Sequence, residues 1–375
     1  MIKEIRENKK NFYHIIKIFI LSRIFVIIIA FFVQDSFESI LNLFDAEHYR
    51  SIAQNGYTNE MLTAFFPVIP LIIRCIGVYG MLVVNQLAAL GTMFLMNSLL
   101  DKVDEKNKQL ALEVFAFSPL VVFSIVPYTE NLFMFLTILV FYLFVKRKWG
   151  WKFGVILGLC VSTRNSGAML FFAVFIGCCY LWYKKEISLK CILETYVPAT
   201  IISCLYPIYL QIAFGNWKIF MDCQNICWGK IDSNIFILVK NQLSVIFNPN
   251  HYAESGLVQI QINFYRFNEI LTLVFGVSIL VLGIYILKSN KFSKDIDLLV
   301  AFVYIFLSMF CFTLSIRNPL IDSPTTSFYR YFLGLFPIYI GIVGLPRIIL
   351  KKLVWVMLIL TAGIASLFYV NVFFY

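Results

Sequence analysis

Long apolar runs recur from one end of the chain to the other, and short polar segments separate them. A segment that spans a membrane must satisfy its own backbone hydrogen bonds, so such runs predict helices that cross a hydrocarbon core of roughly 30 Å. The pattern therefore predicts an all-α polytopic membrane protein with about eleven transmembrane helices. The predicted spans lie at about 15–33, 77–99, 110–127, 130–145, two between 152 and 184, 191–213, 268–287, 298–315, 330–346 and 353–374.

Composition and charge support this fold class. Of the 375 residues, 60% are hydrophobic and 14% are charged, and the mean hydropathy is +0.82, whereas soluble domains have a lower apolar share. The net charge of +10 comes from Lys and Arg clustered between apolar runs, as in cytoplasmic loops, which argues against nucleic acid as a partner. The lipid bilayer is the expected partner. We expect one integral, multi-pass domain over 1–375, in the plasma membrane of a bacterium or the endoplasmic reticulum membrane of a eukaryote.

The basic loops also predict which polar segments share a face. Loops rich in Lys and Arg, such as 146–152 and 184–190, belong in the cytoplasm by the positive-inside rule. The N-terminus is basic as well, and the first apolar run lacks a small-residue cleavage site, which indicates a signal anchor. The remaining polar segments then gather on the outer, non-cytoplasmic face. These outer loops are about 34–76, 127–131, 163–167, 215–267 and 316–330.

The first outer loop contains the segment "LFDAEHYRSIAQNGY", which predicts a short interfacial helix. Asp45 occupies the N-cap position, where its carboxylate can accept from free backbone N–H groups, and Gly56 fits the position just after the helix. An apolar stripe at helical spacing predicts that the helix lies on the membrane surface. The stripe consists of Ala46, Tyr49, Ile52 and Ala53.

A capped amphipathic helix would account for Asp45, but it leaves other residues of the segment unexplained. Glu47, His48 and Arg50 add three ionisable groups close to lipid, where unpaired charge is costly. The alternative interpretation is that this segment carries chemistry.

Four further charged residues lie at predicted outer helix ends. Arg74 follows the helix-breaking Pro67 and Pro70 in "AFFPVIPLIIR", and either reaches for lipid headgroups or borders an outward-facing cavity. Glu130 in "PYTEN" either caps a helix or binds substrate. Arg164 in "STRNSG" and Arg330 in "SFYRYF" are headgroup contacts if taken singly, and a bidentate phosphate site if taken together.

Cysteine and histidine spacing does not predict a metal centre. Cys223 and Cys227 are one helical turn apart in the 215–267 loop, where a disulfide is an option. The three histidines do not complete a metal-ligand pattern with them, so we expect no metal and no cofactor. The histidines are His14, His48 and His251.

Taken in order, these motifs resemble the PIG-V mannosyltransferases, which add the second mannose in GPI-anchor assembly and have bacterial relatives. The likeness covers residues 15 to about 345 and rests on "FDAEHYRSIAQNGY", "AFFPVIPLIIR", "SPLVVFSIVPYTENLF", "STRNSG" and "FYRYFLGLFPIYI". The family typically has Trp before its key Asp, where this chain has Phe44. The resemblance implies a GT-C type glycosyltransferase that transfers a hexose from a polyprenyl-phosphate sugar, with inversion, at the non-cytoplasmic face.

The resemblance also implies roles for single residues. The family's loop carboxylate corresponds to Asp45 and the neighbouring acid to Glu47. A carboxylate in this place can take the proton of the acceptor hydroxyl, and cations can stabilise the leaving phosphate. Arg164 and Arg330 are the expected phosphate ligands, and His48 is expected to orient the acceptor or tune Asp45. Arg74 and Glu130 complete the predicted substrate-binding set.

Other functions fit parts of the pattern. A polytopic transporter or lipid flippase is the main alternative, although transporters favour charges near the bilayer midplane and internal repeats. A related glycosyltransferase that uses another polyprenyl-phosphate sugar is the second alternative. In a bacterium, the acceptor would be a glycolipid or a surface glycan.

Overall fold

The protein is mostly helical over the part of the chain that its computed structural model describes, residues 2–34, 36–101, 107–248, 250–252, 255, 257–288, 296–320 and 322–370. The helices are α1 (Ile2–Val33), α2 (Phe37–Ile40), α3 (Asp45–Asn55), α4 (Val68–Leu100), α5 (Lys108–Ala116), α6 (Glu130–Val145), α7 (Trp151–Thr163), α8 (Gly167–Tyr183), α9 (Leu189–Phe214), α10 (Ile219–Ile226), α11 (Ile235–Phe247), α12 (Gln259–Lys288), α13 (Ile296–Thr313), α14 (Phe328–Leu333), α15 (Pro337–Gly341) and α16 (Arg347–Tyr369). Three 3-10 helices lie at Glu60–Ala64, Pro119–Ile125 and Ile342–Gly344.

Six of these helices are long and apolar enough to cross a membrane. They lie in α1, α4, α9, α12, α13 and α16. A seventh span results if α5 and Pro119–Ile125, which meet at a bend of 54°, count as one. Large apolar side chains on these helices stay exposed, as expected of helices that face lipid, and Leu87, Ile201 and Ile359 are examples. Length and composition thus indicate a membrane protein.

The predicted count of about eleven spans is not confirmed. Helices α6, α7 and α8 coincide with predicted spans, but α7 has 13 residues and α8 has 17. At 1.5 Å per residue, these are about 20 and 26 Å long, which is less than a hydrocarbon core of roughly 30 Å. The span predicted at 330–346 is wrong as a continuous helix. The chain breaks between α14 and α15, where Gly334 ends one helix and Pro337 begins the next.

Close packing of α7 on α9 fixes the position of the outer turn that follows α7. A Cβ atom added at Gly154 would lie 2.1 Å from the carbonyl oxygen of Thr195, and one at Gly158 would lie 2.8 Å from that of Ala199. Only glycine allows the two backbones to approach this closely. Arg164 directly follows α7, so its backbone is held by this contact.

A two-stranded antiparallel ribbon joins two of the predicted outer loops. Strand β1 (Lys230–Asp232) pairs with β2 (Ser315–Arg317), and Lys230 lies opposite Arg317 in the register. The side chain of Ile316, in the middle of β2, is fully buried in an apolar cluster with α11, α12 and α14. The ribbon therefore ties the 215–267 segment to the helical core.

Candidate active site

The predicted helix in the first outer loop is confirmed as α3, and Gly56 ends it with φ 75°. Two details of the prediction are wrong. Phe44, not Asp45, occupies the N-cap position, and Asp45 is the first helical residue. The apolar stripe is buried in the protein, beside Phe65 and Ile69, and so it does not face lipid.

The start of α3 is held by a tyrosine from a distant loop. The backbone N–H of Asp45 donates to the hydroxyl of Tyr128 at 3.1 Å, and that hydroxyl donates to the carbonyl of Leu43 at 3.3 Å. Between them, Phe44 adopts φ 49° and ψ −119°, which is rare for a residue other than glycine. The surrounding contacts therefore keep the backbone in an unfavourable conformation beside Asp45.

Four charged residues from four separate segments meet at one place, and we call them the charge network: Asp45, Glu130, Arg164 and Arg330. Arg330 Nη1 lies 3.1 Å from Asp45 Oδ2, and Arg330 Nε lies 3.1 Å from Glu130 Oε1. Arg164 Nη1 lies 3.1 Å from the same Glu130 oxygen. The contact of Arg330 Nε with Glu130 is an ion pair whose angle is too poor for a hydrogen bond. The sequence predicted all four residues, and the structure brings them together.

Burial and pairing set the charge state of the network. Burial alone would raise the pKa of Glu130, but Arg330 and Arg164 outweigh it and lower that pKa below its usual value. Burial acts to lower the pKa of Arg330, while Glu130 and Asp45 raise it well above its usual value. Glu130 is the first residue of α6, where the helix dipole also favours a negative charge. Glu130 and Arg330 are therefore ionised at neutral pH.

Aromatic rings also contact the guanidinium groups of Arg164 and Arg330. The Arg164 guanidinium lies 4.6 Å from the ring centroid of Tyr331. The Arg330 guanidinium lies 5.6 Å from the centroids of Phe123, Tyr128 and Tyr331. Cation–π attraction at these distances stabilises a desolvated cation and limits its movement. The arginines are thus positioned before any ligand binds.

A cavity of about 530 Å³ opens beside the network, and Asp45, Arg164 and Arg330 all line it. Ligand sites commonly have volumes of about 300–1,000 Å³, so this one has room for a sugar and a phosphate group. Glu130 lies behind this lining, with 2% of its side chain exposed. It contacts both arginines and does not line the cavity.

Residues that the sequence did not single out complete the cavity wall. Trp228 and Lys230 come from the 215–267 segment, whose role the sequence left open, and Arg317 and Tyr331 come from the region after α13. Lys230 lies in a predicted outer loop, where the positive-inside rule makes lysine uncommon. Its position in the sequence is therefore a signal of a functional role. The signal is weak because other lysines of that segment share it.

Cations at this wall shift the pKa values of their neighbours, although Asp222 and Asp232 line the same cavity. Burial would raise the pKa of the Tyr331 phenol, but Lys230, Arg330 and Arg164 together lower it to about 8. Burial lowers the pKa of Lys230; Tyr331 acts to raise it, and the neighbouring cations Arg317, Arg164 and Arg330 act to lower it. The shift at Tyr331 indicates a place that favours an anion.

Besides Glu130, three of the predicted site residues do not line this cavity. Glu47 is exposed on α3, and Arg74 is exposed on α4. The ring of His48 packs in an aromatic cluster, 4.8 Å from the centroid of Phe65 and 5.8 Å from that of Trp228. Their functional assignments stay predictions. The packing of His48 is consistent with an indirect role, since Phe65 and Trp228 both line the cavity.

The cysteines of the outer segment are free thiols. Cys223 is buried on α10 and Cys227 follows the helix, so the option of a disulfide between them is wrong. Burial raises the pKa of Cys223 to about 12. Within the described ranges, the His, Cys, Asp and Glu side chains do not gather in any group of three or more that would hold a metal ion.

Comparison with known proteins adds no identification. No protein-family model matches the chain, and no curated protein matches it.

Proposed function

We propose that the protein is a membrane glycosyltransferase of the GT-C type that resembles the PIG-V mannosyltransferases. It moves a hexose, mannose in the first instance, from a polyprenyl-phosphate sugar to a glycolipid or surface-glycan acceptor. The observation that carries this proposal is the position of Asp45. Its carboxylate lines a ligand-sized cavity together with two preorganised arginines, and all three come from motifs of the resemblance.

Asp45 acts as the general base in this proposal. An acceptor hydroxyl has a pKa far above neutral, so its proton must be taken as the new glycosidic bond forms. Of the two carboxylate oxygens, Oδ2 contacts Arg330, and we assign proton transfer to Oδ1. The Tyr128 hydroxyl and Arg330 hold the start of α3, which fixes the direction of the carboxylate.

The cations of the cavity act on the leaving group. As the bond to the anomeric carbon breaks, negative charge grows on the lipid phosphate, and preorganised cations stabilise it without a strong acid. Arg164 and Arg330 keep N–H groups beyond those that contact Glu130 and Asp45, because a guanidinium has five donors. The two carboxylates hold the arginines in place and offset part of their charge.

The membrane helices are consistent with a lipid-linked donor. A polyprenyl chain would remain in the bilayer while its phosphate and sugar enter the cavity, which lies among the predicted outer loops. We place the reaction at the non-cytoplasmic face, in the plasma membrane if the source is a bacterium and in the endoplasmic reticulum if it is a eukaryote.

The test uses purified protein in liposomes, supplied with radiolabelled polyprenyl-phosphate mannose and a panel of glycolipid and glycan acceptors. We expect label to appear on at least one acceptor and polyprenyl phosphate to be released in equal amount. Polyprenyl-phosphate glucose serves as the matched donor for sugar preference. Movement of intact donor between the leaflets without any transfer would contradict the proposal and favour a flippase.

A further inference from the structure

The β1–β2 ribbon places two cations directly opposite each other. Lys230 pairs with Arg317 in the antiparallel register, and both side chains line the cavity. Side chains alternate between the two faces of a strand, so Ile231 and Ile316 point the other way, and Ile316 is fully buried. The ribbon is therefore anchored through Ile316, while Ile231 stays 37% exposed, and its cavity face carries the two cations together with Asp232.

Like charges directly opposite each other destabilise an antiparallel pair. Arg317 is partly compensated, because it donates to the carbonyl of Trp228 and its Nε lies 3.8 Å from Asp322 Oδ2. Lys230 has no ion pair with any carboxylate in the described part of the chain. Asp232 lies on the same face of β1, and it too forms no ion pair with Lys230 or Arg317 among the described residues.

The two arginines of the charge network differ from this pair. Arg330 and Arg164 are already matched by Asp45 and Glu130, so the network is close to neutral. Of the cations that line the cavity, Lys230 is left without an ion pair among the described residues, although Asp222 and Asp232 line the same cavity. A ligand with two or more acceptor oxygens and a negative charge would relieve the repulsion between the opposed cations.

We propose that Lys230 and Arg317 form an anion site for a phosphate monoester or diester, and that its occupation stabilises the ribbon as one wall of the cavity. The proposal rests on the proposed function only for the identity of the molecule that carries the phosphate. The site adds two ligands that the motifs of the resemblance do not contain. It also makes the order of the β1–β2 ribbon depend on the ligand.

Hydrogen exchange of the full chain in phosphatidylcholine nanodiscs tests the site without any turnover. Backbone amides of 230–232 and 315–317 are followed with no addition, with inorganic phosphate, and with a short polyprenyl phosphate. At one hundred times the dissociation constant, we expect exchange of the ribbon amides to slow by up to about 100-fold. A response to both probes indicates that phosphate suffices, and a response to the lipid alone indicates that the chain is needed. No slowing with either probe would overturn the proposal.

Removal of the Lys230 charge gives the second arm of the hydrogen-exchange experiment. In Lys230→Gln the response to phosphate should be lost, while ribbon exchange without ligand should slow by about threefold because the repulsion is gone. Lys240→Gln, which removes an exposed lysine on α11, is the matched control and should behave as the wild type. An undiminished phosphate response in Lys230→Gln, or faster exchange of its ribbon without ligand, would contradict the proposal.

A third variant separates this inference from the proposed function. Asp45→Asn should keep the exchange response to phosphate, since Asp45 is not a ligand of the ribbon site. If the wild type transfers no sugar to any acceptor while its ribbon responds to phosphate, the proposed function fails and the anion site stands. If transfer occurs while the ribbon never responds, the anion site fails and the proposed function stands.

Discussion

Replacement of Glu130 by Gln perturbs the charge network at its centre. The side chain of Glu130 is 2% exposed, and one of its oxygens lies 3.1 Å from both Arg164 Nη1 and Arg330 Nε. Gln keeps the size and the capacity to accept a hydrogen bond, but it removes the negative charge that faces two buried guanidiniums. The variant therefore leaves two cations with Asp45 as their remaining partner in the network.

The magnitude follows from this geometry. Removal of one partner from a buried ion pair costs about 3–5 kcal/mol, because it leaves an uncompensated buried charge. Arg330 keeps Asp45, and Arg164 keeps the ring of Tyr331, so we expect the lower end, about 3 kcal/mol. With an unfolding entropy of roughly 2.1 cal/mol/K per residue, as in soluble domains, this lowers the melting temperature by about 4 °C.

The assay is thermal unfolding in detergent, with Glu60→Gln as the matched control because Glu60 is exposed in the same predicted outer face. A double-mutant cycle that combines Glu130→Gln with Arg164→Gln measures how strongly the two side chains contribute to stability together. Removal of Arg164 relieves part of the uncompensated charge, so the double variant should lose less stability than the two single losses added. Strict additivity, or a Glu130→Gln variant as stable as Glu60→Gln, would refute the reasoning.

The pH dependence gives an independent check of the same pair of charges. The folded-state pKa of Glu130 is lowered, so its charge stabilises the protein above the usual carboxyl value of 4.5. That contribution is lost as the pH falls through the lowered folded-state pKa. The stability difference between the wild type and Glu130→Gln should therefore be constant near neutral pH and shrink only below about pH 4.5.

Three further predictions concern the arginines, the phenol and the topology. Arg164→Ala should reduce sugar transfer by roughly tenfold to a hundredfold and Arg164→Lys by less, because Lys keeps the charge but loses the planar fork; equal turnover in all three proteins would contradict this. Binding of sulfate, followed by calorimetry, should weaken as the pH rises through about 8, where Tyr331 becomes an anion, and Tyr331→Phe should remove that step. In a cysteine-free background, a cysteine at Asn59 should react with an impermeant reagent from outside, and one at Gly150 should not; the reverse pattern would overturn the predicted topology.

The sequence carried enough information to predict much of the site. Glu130, Arg164 and Arg330 stand at the ends of apolar runs, and Asp45 begins an amphipathic helix in the first outer loop; close to lipid, a charge is costly unless it has a partner or a function. Charge bias alone assigned their loops to one face, and the structure brings the four side chains within ion-pairing distance. Charge and helix boundaries are local properties, which is why they could be predicted.

What the sequence could not supply depends on contacts between distant segments. Phe44 occupies the N-cap position of α3 because Tyr128, 83 residues after Asp45, bonds to the start of the helix. The ribbon that presents Lys230 and Arg317 consists of two strands of three residues, too short for a period-two pattern. No local signal marks either contact.

The number of membrane spans is also not settled by local sequence. An apolar run indicates burial but does not distinguish burial in lipid from burial in protein. Helices α6, α14 and α15 carry many buried side chains in the core of the protein, whereas α8 also exposes large apolar side chains such as Phe172 and Trp182. Hydropathy therefore predicted these segments as apolar correctly, and six to seven helices of the described chain are long and apolar enough to span a membrane.

The most direct test of the account is sugar transfer by Asp45→Asn in liposomes, measured beside its melting temperature. Asn is nearly isosteric and can still accept a hydrogen bond from Arg330, but it cannot take a proton from the acceptor. We expect transfer to fall by roughly 100-fold or more, with only a small change in melting temperature. Glu47→Gln, on the exposed side of α3, should lose less. A stable Asp45→Asn protein that transfers sugar at the wild-type rate would contradict the assignment of Asp45 as the base.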